Sequence, residues 1–187
     1  MEPVSARIRD SLLELKIGDI TLEETEAIAS AANSALAGGG GVDGAIHRAA
    51  GPGVMEELRR RYQGCPTGSA VITGAGRLKA KYILHAVGPR YRGDPEDAKL
   101  LAGAYQGCLD LCAAHRINSI SFPSVSTGVY AYPPAEAAPV ALSTVELHLS
   151  RSPFPRLACF VLFDEETFLA YAKAFASLGL VPGVDRA

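Results

Sequence analysis

The densest chemical potential in this sequence lies in Gly38-Gly39-Gly40-Gly41-Val42-Asp43-Gly44-Ala45-Ile46-His47. Four consecutive glycines are entropically costly to order, and they suit a backbone that must turn sharply and approach a ligand closely. The tract leads into a predicted helix, whose first N–H groups and dipole attract anions. Together these features predict a phosphate cradle built from main-chain amides; a plain surface loop is the alternative. A Walker A loop needs Gly-Lys-Ser/Thr at its end, and no Lys occurs here, which argues against nucleoside triphosphate hydrolysis. Gly39, Gly41 and Gly44 match GxGxxG, but a dinucleotide fold also wants an acidic residue at a strand end about 20 residues on. The nearest acids, Glu56 and Glu57, fall in a predicted helix. Asp43 precedes the helix predicted over 45–50, where it could act as an N-cap. His47 follows it at i,i+4.

The elements that would position this stretch alternate between strand and helix. Leu13, Leu15 and Ile17 alternate with polar neighbours and predict a strand ending at Gly18-Asp19, with a short helical turn over 20–25. Ala27 to Ala31 reads as a buried strand, as do 82–87 and 157–163; shorter strands are expected at 70–73 and 119–122. Asp94 is a good N-cap, and Pro95 suits the first position of the longest helix, which runs to about His115. Further helices are expected over 54–63, 134–149 and 165–177. Strands alternating with helices predict an α/β domain with a largely parallel or mixed sheet covered on both faces. Ligands of such folds sit beyond the carboxyl ends of the strands, which singles out loops 30–44, 123–132 and 163–165.

Composition sets the boundaries. The 187 residues carry 18 Lys+Arg against 20 Asp+Glu, a net charge of -2 that argues against bulk attraction to nucleic acid or acidic membranes. An anion would therefore be bound by local geometry rather than by a field of cations. At roughly 100–200 residues per domain, a single domain over 1–187 is expected, with its ordered core over about 12–177. No apolar segment suggests a signal or a membrane span. Cys65, Cys108, Cys112 and Cys159 form no CxxC pair and read as reduced, buried thiols of a cytoplasmic protein. No metal constellation is visible along the chain, and no cofactor is expected.

Several pieces, taken in order, resemble the macrodomain family, in particular its MacroD-type branch. They are Gly18-Asp19-Ile20-Thr21, Ala31-Ala32-Asn33-Ser34, the run from Gly38 to Pro52, and Cys65-Pro66-Thr67-Gly68. Further along come 80–85 with Val87-Gly88-Pro89, then Phe122 to Tyr130, then Phe163 to Phe168. The resemblance implies a three-layer α/β/α sandwich around a mixed, mostly parallel sheet, with a cleft for ADP-ribose. It also implies hydrolysis of ADP-ribosyl esters, on acidic side chains of proteins or as O-acetyl-ADP-ribose. One departure is Ser30, where the family usually has Asn; Asn33 matches the second Asn of that motif.

Carried over position by position, Asp19 would recognise adenine or cap the following turn, and Ile20 and Ala32 would add contacts. Phe163 would stack on adenine, the alternative being an end-of-strand core residue. Gly40, Gly41 and Val42 would face Ser126, Thr127, Gly128 and Val129 across the diphosphate. Tyr130 would cover the distal ribose, flanked by Asn33 and Asp43. The carboxylate would orient or deprotonate water or hold a ribose hydroxyl, with the substrate's own phosphate as an alternative base; His47 would orient the carboxylate or the water, the alternative being a core residue behind them. His85, His115 and His148 carry no supporting constellation. A non-catalytic ADP-ribose reader is the first alternative and a dinucleotide oxidoreductase the second. The expected partners are ADP-ribose and an ADP-ribosylated protein or O-acetyl-ADP-ribose, bound by a monomer.

Overall fold

The computed structural model describes residues 1–180 and, by their backbone, 185–186. Strands β1 (Val4–Ile8), β2 (Ser11–Ile17), β3 (Ala27–Ala31), β4 (Ser69–Gly74), β5 (Tyr82–Val87), β6 (Ser119–Phe122), β7 (Leu157–Leu162) and β8 (Asp185–Arg186) form one sheet. Its order is β4-β5-β3-β6-β7-β2-β1-β8. The β1–β2 and β4–β5 pairs are antiparallel and the remaining pairs parallel, as the reading of a mixed, mostly parallel sheet anticipated. This is not the strand order of the dinucleotide fold.

Helices α3 (Pro95–His115), α4 (Pro134–Leu149) and α5 (Glu165–Ser177) cover one face of the sheet. Helices α1 (Gly41–Ala50) and α2 (Gly53–Arg61) cover the other. The period-two alternation of a strand divides its side chains between these layers. Ala27 and Ala29 of β3 join Leu84 and Ala86 of β5 in the first core; Ile28 and Ile83 belong to the second. Ser30 and His85, paired in register, therefore point to the α1 side.

Two expectations change. The ordered core begins at Val4, well before residue 12, because β1 buries Ala6 and Ile8 against the sheet. Its hairpin to β2 turns at Arg9, which takes φ +52° without the Asn-Gly or Asp-Gly signal that marks such turns in a sequence. Helix α1 starts at Gly41 rather than Ala45, so Asp43 sits in its first turn and Gly40 is the N-cap. Glycines weaken helix propensity, which hid this first turn. The predicted cap of α3 holds: Asp94 accepts from the Glu96 N–H at 2.7 Å, and Asp97 closes a capping box.

Candidate functional site

Two adjoining cavities, of about 260 and 430 Å³, open beyond the carboxyl ends of the strands and share Gly41, Val42, Ser124 and Gly128. The smaller lies between the glycine tract and the loop after β6. The larger runs from Asp19 to Phe163.

The glycine tract is braced by Asn33. Its Nδ2 donates to the Gly38 carbonyl at 2.8 Å, and its Oδ1 accepts from the Ala37 N–H at 3.1 Å. One Nδ2 hydrogen is left for a ligand, since an amide nitrogen carries two. Gly44 lets the tract lie directly on α1: a Cβ there would stand 2.5 Å from the Gly39 carbonyl oxygen. Gly39 itself lies over Asn33 and Asp43, its Cβ position 3.8 Å from Nδ2 of the one and Oδ2 of the other.

Asp43 is 4% exposed. Its Oδ1 accepts from the Ser30 hydroxyl at 2.8 Å and lies 3.6 Å from His47 Nε2. Burial raises its pKa above the ordinary carboxylate value; the Ser30 hydrogen bond and His47 act in the opposite sense without cancelling it. His47 is the one predicted site residue that lines neither cavity. It sits behind Asp43, on a separate cavity with Arg48 and Gly38.

The opposite wall is the loop after β6. Tyr105 of α3 accepts from the Val125 N–H at 2.9 Å and donates to the Pro123 carbonyl at 3.2 Å. The hydroxyls of Tyr171, in α5, and Ser124 lie 3.0 Å apart. Two buried tyrosines thus fix this loop from beneath, through contacts between residues far apart in sequence. Ser126 takes φ +68°, a strained conformation for a residue with a Cβ, and its buried hydroxyl has no protein partner. Gly88 makes room for that turn, since a Cβ there would stand 2.2 Å from Ser126 Oγ.

The predicted ligand residues divide between the cavities. Ala32, Asn33, Gly40, Asp43, Ser126, Val129 and Tyr130 line the smaller one, and Asp19, Ile20, Thr127 and Phe163 the larger. Asp19 caps the turn Ile20–Leu22, with both of its bonds to Thr21 on Oδ1, so capping leaves Oδ2 for another donor. Phe163 is 83% exposed just past the end of β7, which excludes the reading as a core residue. Val129 is 88% exposed.

Sequence reasoning missed four contributors. Arg90 lines the smaller cavity, with its guanidinium carbon 4.8 Å from the Tyr130 ring centroid, and Arg48 lines the larger. The cradle is therefore not free of cations, as the low net charge had suggested. Asp97 organises the segment that follows Arg90, accepting from the N–H groups of Arg92, Gly93 and Asp94. His85 comes beside His47, their ring centroids 6.0 Å apart. Asp43, His47 and His85 form a cluster that the spacing along the chain did not reveal.

The description "Macro domain" belongs to the family model that matches residues 29–141. The O-acetyl-ADP-ribose deacetylase of Salmonella typhimurium is 50% identical over 173 residues, covering 90% of this chain and 97% of that protein. The protein of the same name from Cronobacter sakazakii is 50% identical over 170 residues, covering 89% and 94%. Among solved structures, the Oceanobacillus iheyensis macrodomain with ADP superposes with a TM-score of 0.89 at 41% identity, covering 95% of this chain and 96% of that one. The Trypanosoma brucei macrodomain in complex with ADP-ribose gives 0.80 at 38% identity, covering 86% and 68%.

Proposed function

This chain belongs to the macrodomain family, and on that premise we propose that it binds ADP-ribose and hydrolyses O-acetyl-ADP-ribose to ADP-ribose and acetate. The observation that carries the hydrolytic half is Asp43: a buried carboxylate of raised pKa that reaches a cavity walled by backbone amides. A reader of ADP-ribose has no use for a carboxylate held out of water at that position. Relatives named as deacetylases at 50% identity over most of both chains support the same reading.

The adenine lies against Phe163, with Asp19 Oδ2 accepting from its exocyclic amine. The diphosphate sits between the amides of Gly40, Gly41 and Val42 and those of the 126–129 loop, where Ser126 Oγ gains the partner it lacks within the protein. Tyr130 covers the distal ribose, steadied by Arg90. Asn33 spends its free N–H on that ribose. Water between Asp43 Oδ2 and the ester gives its proton to the carboxylate as its oxygen bonds to the acyl carbon. The ribose oxygen leaves with that proton, and the acetic acid released gives its own proton to solvent as acetate. A raised pKa makes Asp43 a stronger base than an exposed carboxylate while leaving it ionised above that pKa. His47 acts through Asp43 as a positioning residue.

An ADP-ribosyl ester on a protein Asp or Glu presents the same bond, and we extend the proposal to it. The match to nearly the full length of the deacetylase relatives supports action as one domain. The test is chromatography of O-acetyl-ADP-ribose and of an ester-linked ADP-ribosylated protein, incubated in parallel with wild type and Asp43→Ala. Release of ADP-ribose by wild type alone is expected. Tight ADP-ribose binding with no turnover of either ester returns the protein to the reader class.

A further inference from the structure

Behind the reacting face of Asp43, beside His47, the fold places His85, an imidazole that hydrolysis does not use. His85 is fully buried in β5, and its Nδ1 has no hydrogen-bond partner. Its other nitrogen, Nε2, lies 2.8 Å from Thr73 Oγ1, which itself donates to the Gly74 carbonyl at 2.9 Å. The Thr73 hydrogen is thereby committed, so His85 Nε2 carries the proton and donates it to Thr73. Nδ1 is left as a bare lone pair. Burial, aided by His47, pushes the His85 pKa down to about 3. Burying an acceptor without a partner is costly, and such groups in folded proteins call for an explanation.

Ser30 and His85 are in register on adjacent parallel strands, so His85 faces α1 and the side chains of Asp43 and His47. One ligand atom from each of Asp43, His47 and His85 lies within 4.8 Å of the other two; among the described residues this is the only such group. His47 Nε2 and Asp43 Oδ1 are 3.6 Å apart. Two ligands held tetrahedrally at zinc distances of about 2.0–2.1 Å stand roughly 3.4 Å from each other, so modest side-chain rotation closes the set. The supporting shell is also present. Metal-binding histidines donate their second N–H to a neighbour, as His85 does to Thr73, and ligating carboxylates are hydrogen-bonded, as Asp43 is by Ser30.

We propose that Asp43, His47 and His85 bind a divalent transition-metal ion of the zinc type, and that the bound ion withdraws the Asp43 carboxylate from hydrolysis. Two imidazoles and one carboxylate suit Zn²⁺ or Co²⁺ and disfavour Mg²⁺ or Ca²⁺, which prefer all-oxygen shells. The metal half stands on the geometry of the cluster alone. The inhibitory half rests on the hydrolase reading.

Co²⁺ titration of the chelator-treated full-length protein tests both. The visible absorption of Co²⁺ reports nitrogen coordination whether or not any ester is hydrolysed. Saturable binding of one equivalent by wild type is expected. His85→Gln, shown to be folded by circular dichroism, should weaken it by at least about tenfold. Should that variant fail to fold, Thr73→Val removes the acceptor that fixes the tautomer and should weaken binding by about 10–100-fold. Zn²⁺ should inhibit wild-type ester hydrolysis, with recovery on adding chelator. Absence of saturable binding, or binding unchanged in the folded variants, overturns the site. One-equivalent binding that leaves hydrolysis unimpaired overturns the withdrawal of Asp43.

Discussion

Ser30 Oγ donates a 2.8 Å hydrogen bond to Asp43 Oδ1, across the boundary between β3 and α1. The bond occupies one carboxylate oxygen, which leaves Oδ2 toward Gly39 and the cavity. It also opposes the effect of burial on the Asp43 pKa.

Removing that donor should therefore move the pH profile. A general base works when ionised, so activity falls as pH drops through its pKa. In Ser30→Ala the burial effect is less opposed, and the acid limb of kcat/KM should shift to higher pH. On the acid side the loss should be about tenfold, the scale of one charge-assisted hydrogen bond. An unmoved acid limb would assign the limb to another group.

Asp43→Asn should separate function from stability. Hydrolysis should fall by about 100-fold or more, the usual contribution of a general base. The folded carboxyl holds its proton more tightly than the unfolded one. Its contribution to stability is thus fully present below the unfolded pKa and is lost as pH rises through the folded pKa. At neutral pH the ionised group is a burden that Asn relieves. The melting temperature should rise, by about 2–4 °C for each kcal/mol regained in a chain of this size. Calorimetry at neutral pH measures this, and a fall in melting temperature contradicts it.

Glycine substitutions should sort by space rather than by residue type. A Cβ at Gly88 meets Ser126 Oγ at 2.2 Å and Val125 Cγ1 at 2.6 Å, whereas one at Gly53 meets nothing within 4 Å. Gly88→Ala should displace the 126–129 loop and weaken ADP-ribose binding by more than about tenfold, a cost of about 1.4 kcal/mol. Gly53→Ala should leave affinity unchanged and gain about 0.4–1 kcal/mol of stability, because alanine adopts this backbone without strain and the unfolded chain loses freedom. Calorimetric binding and melting curves of the pair decide this.

Phe163 should matter to the ligand and not to the fold. At 83% exposure it contributes little to the core, so Phe163→Ala should leave the melting temperature within about a degree. Loss of one aromatic–base stack, about 1–3 kcal/mol, should weaken ADP-ribose binding by about 5- to 150-fold. Equal affinity in the two proteins would remove Phe163 from the adenine site.

Much of this arrangement was legible along the chain because it depends on neighbours in sequence. Asp94-Pro95 marks the start of α3, and the continuous apolar run marks β5 as buried. The helices over 134–149 and 165–177 have the bounds their patterns predicted. The Asp19 cap follows from its place before the turn it closes. The glycine tract declared a close backbone approach, since φ freedom is a local property.

What only the tertiary structure decided comes from strand register and helix placement, which join residues far apart in sequence. His85 carries no signal on its own strand and Ser30 stands out only as a departure from a motif; their parallel pairing places both under α1. Tyr105 and Tyr171 meet the loop after β6 only because the fold brings it over their hydroxyls. Arg90 meets Tyr130 at the cavity, 40 residues on in sequence, and Asp97 gathers the three backbone N–H groups of Arg92, Gly93 and Asp94. Periodicity tells which face of an element is apolar. Which polar groups meet across two faces depends on how the sheet is ordered, and that is settled by packing of the whole chain.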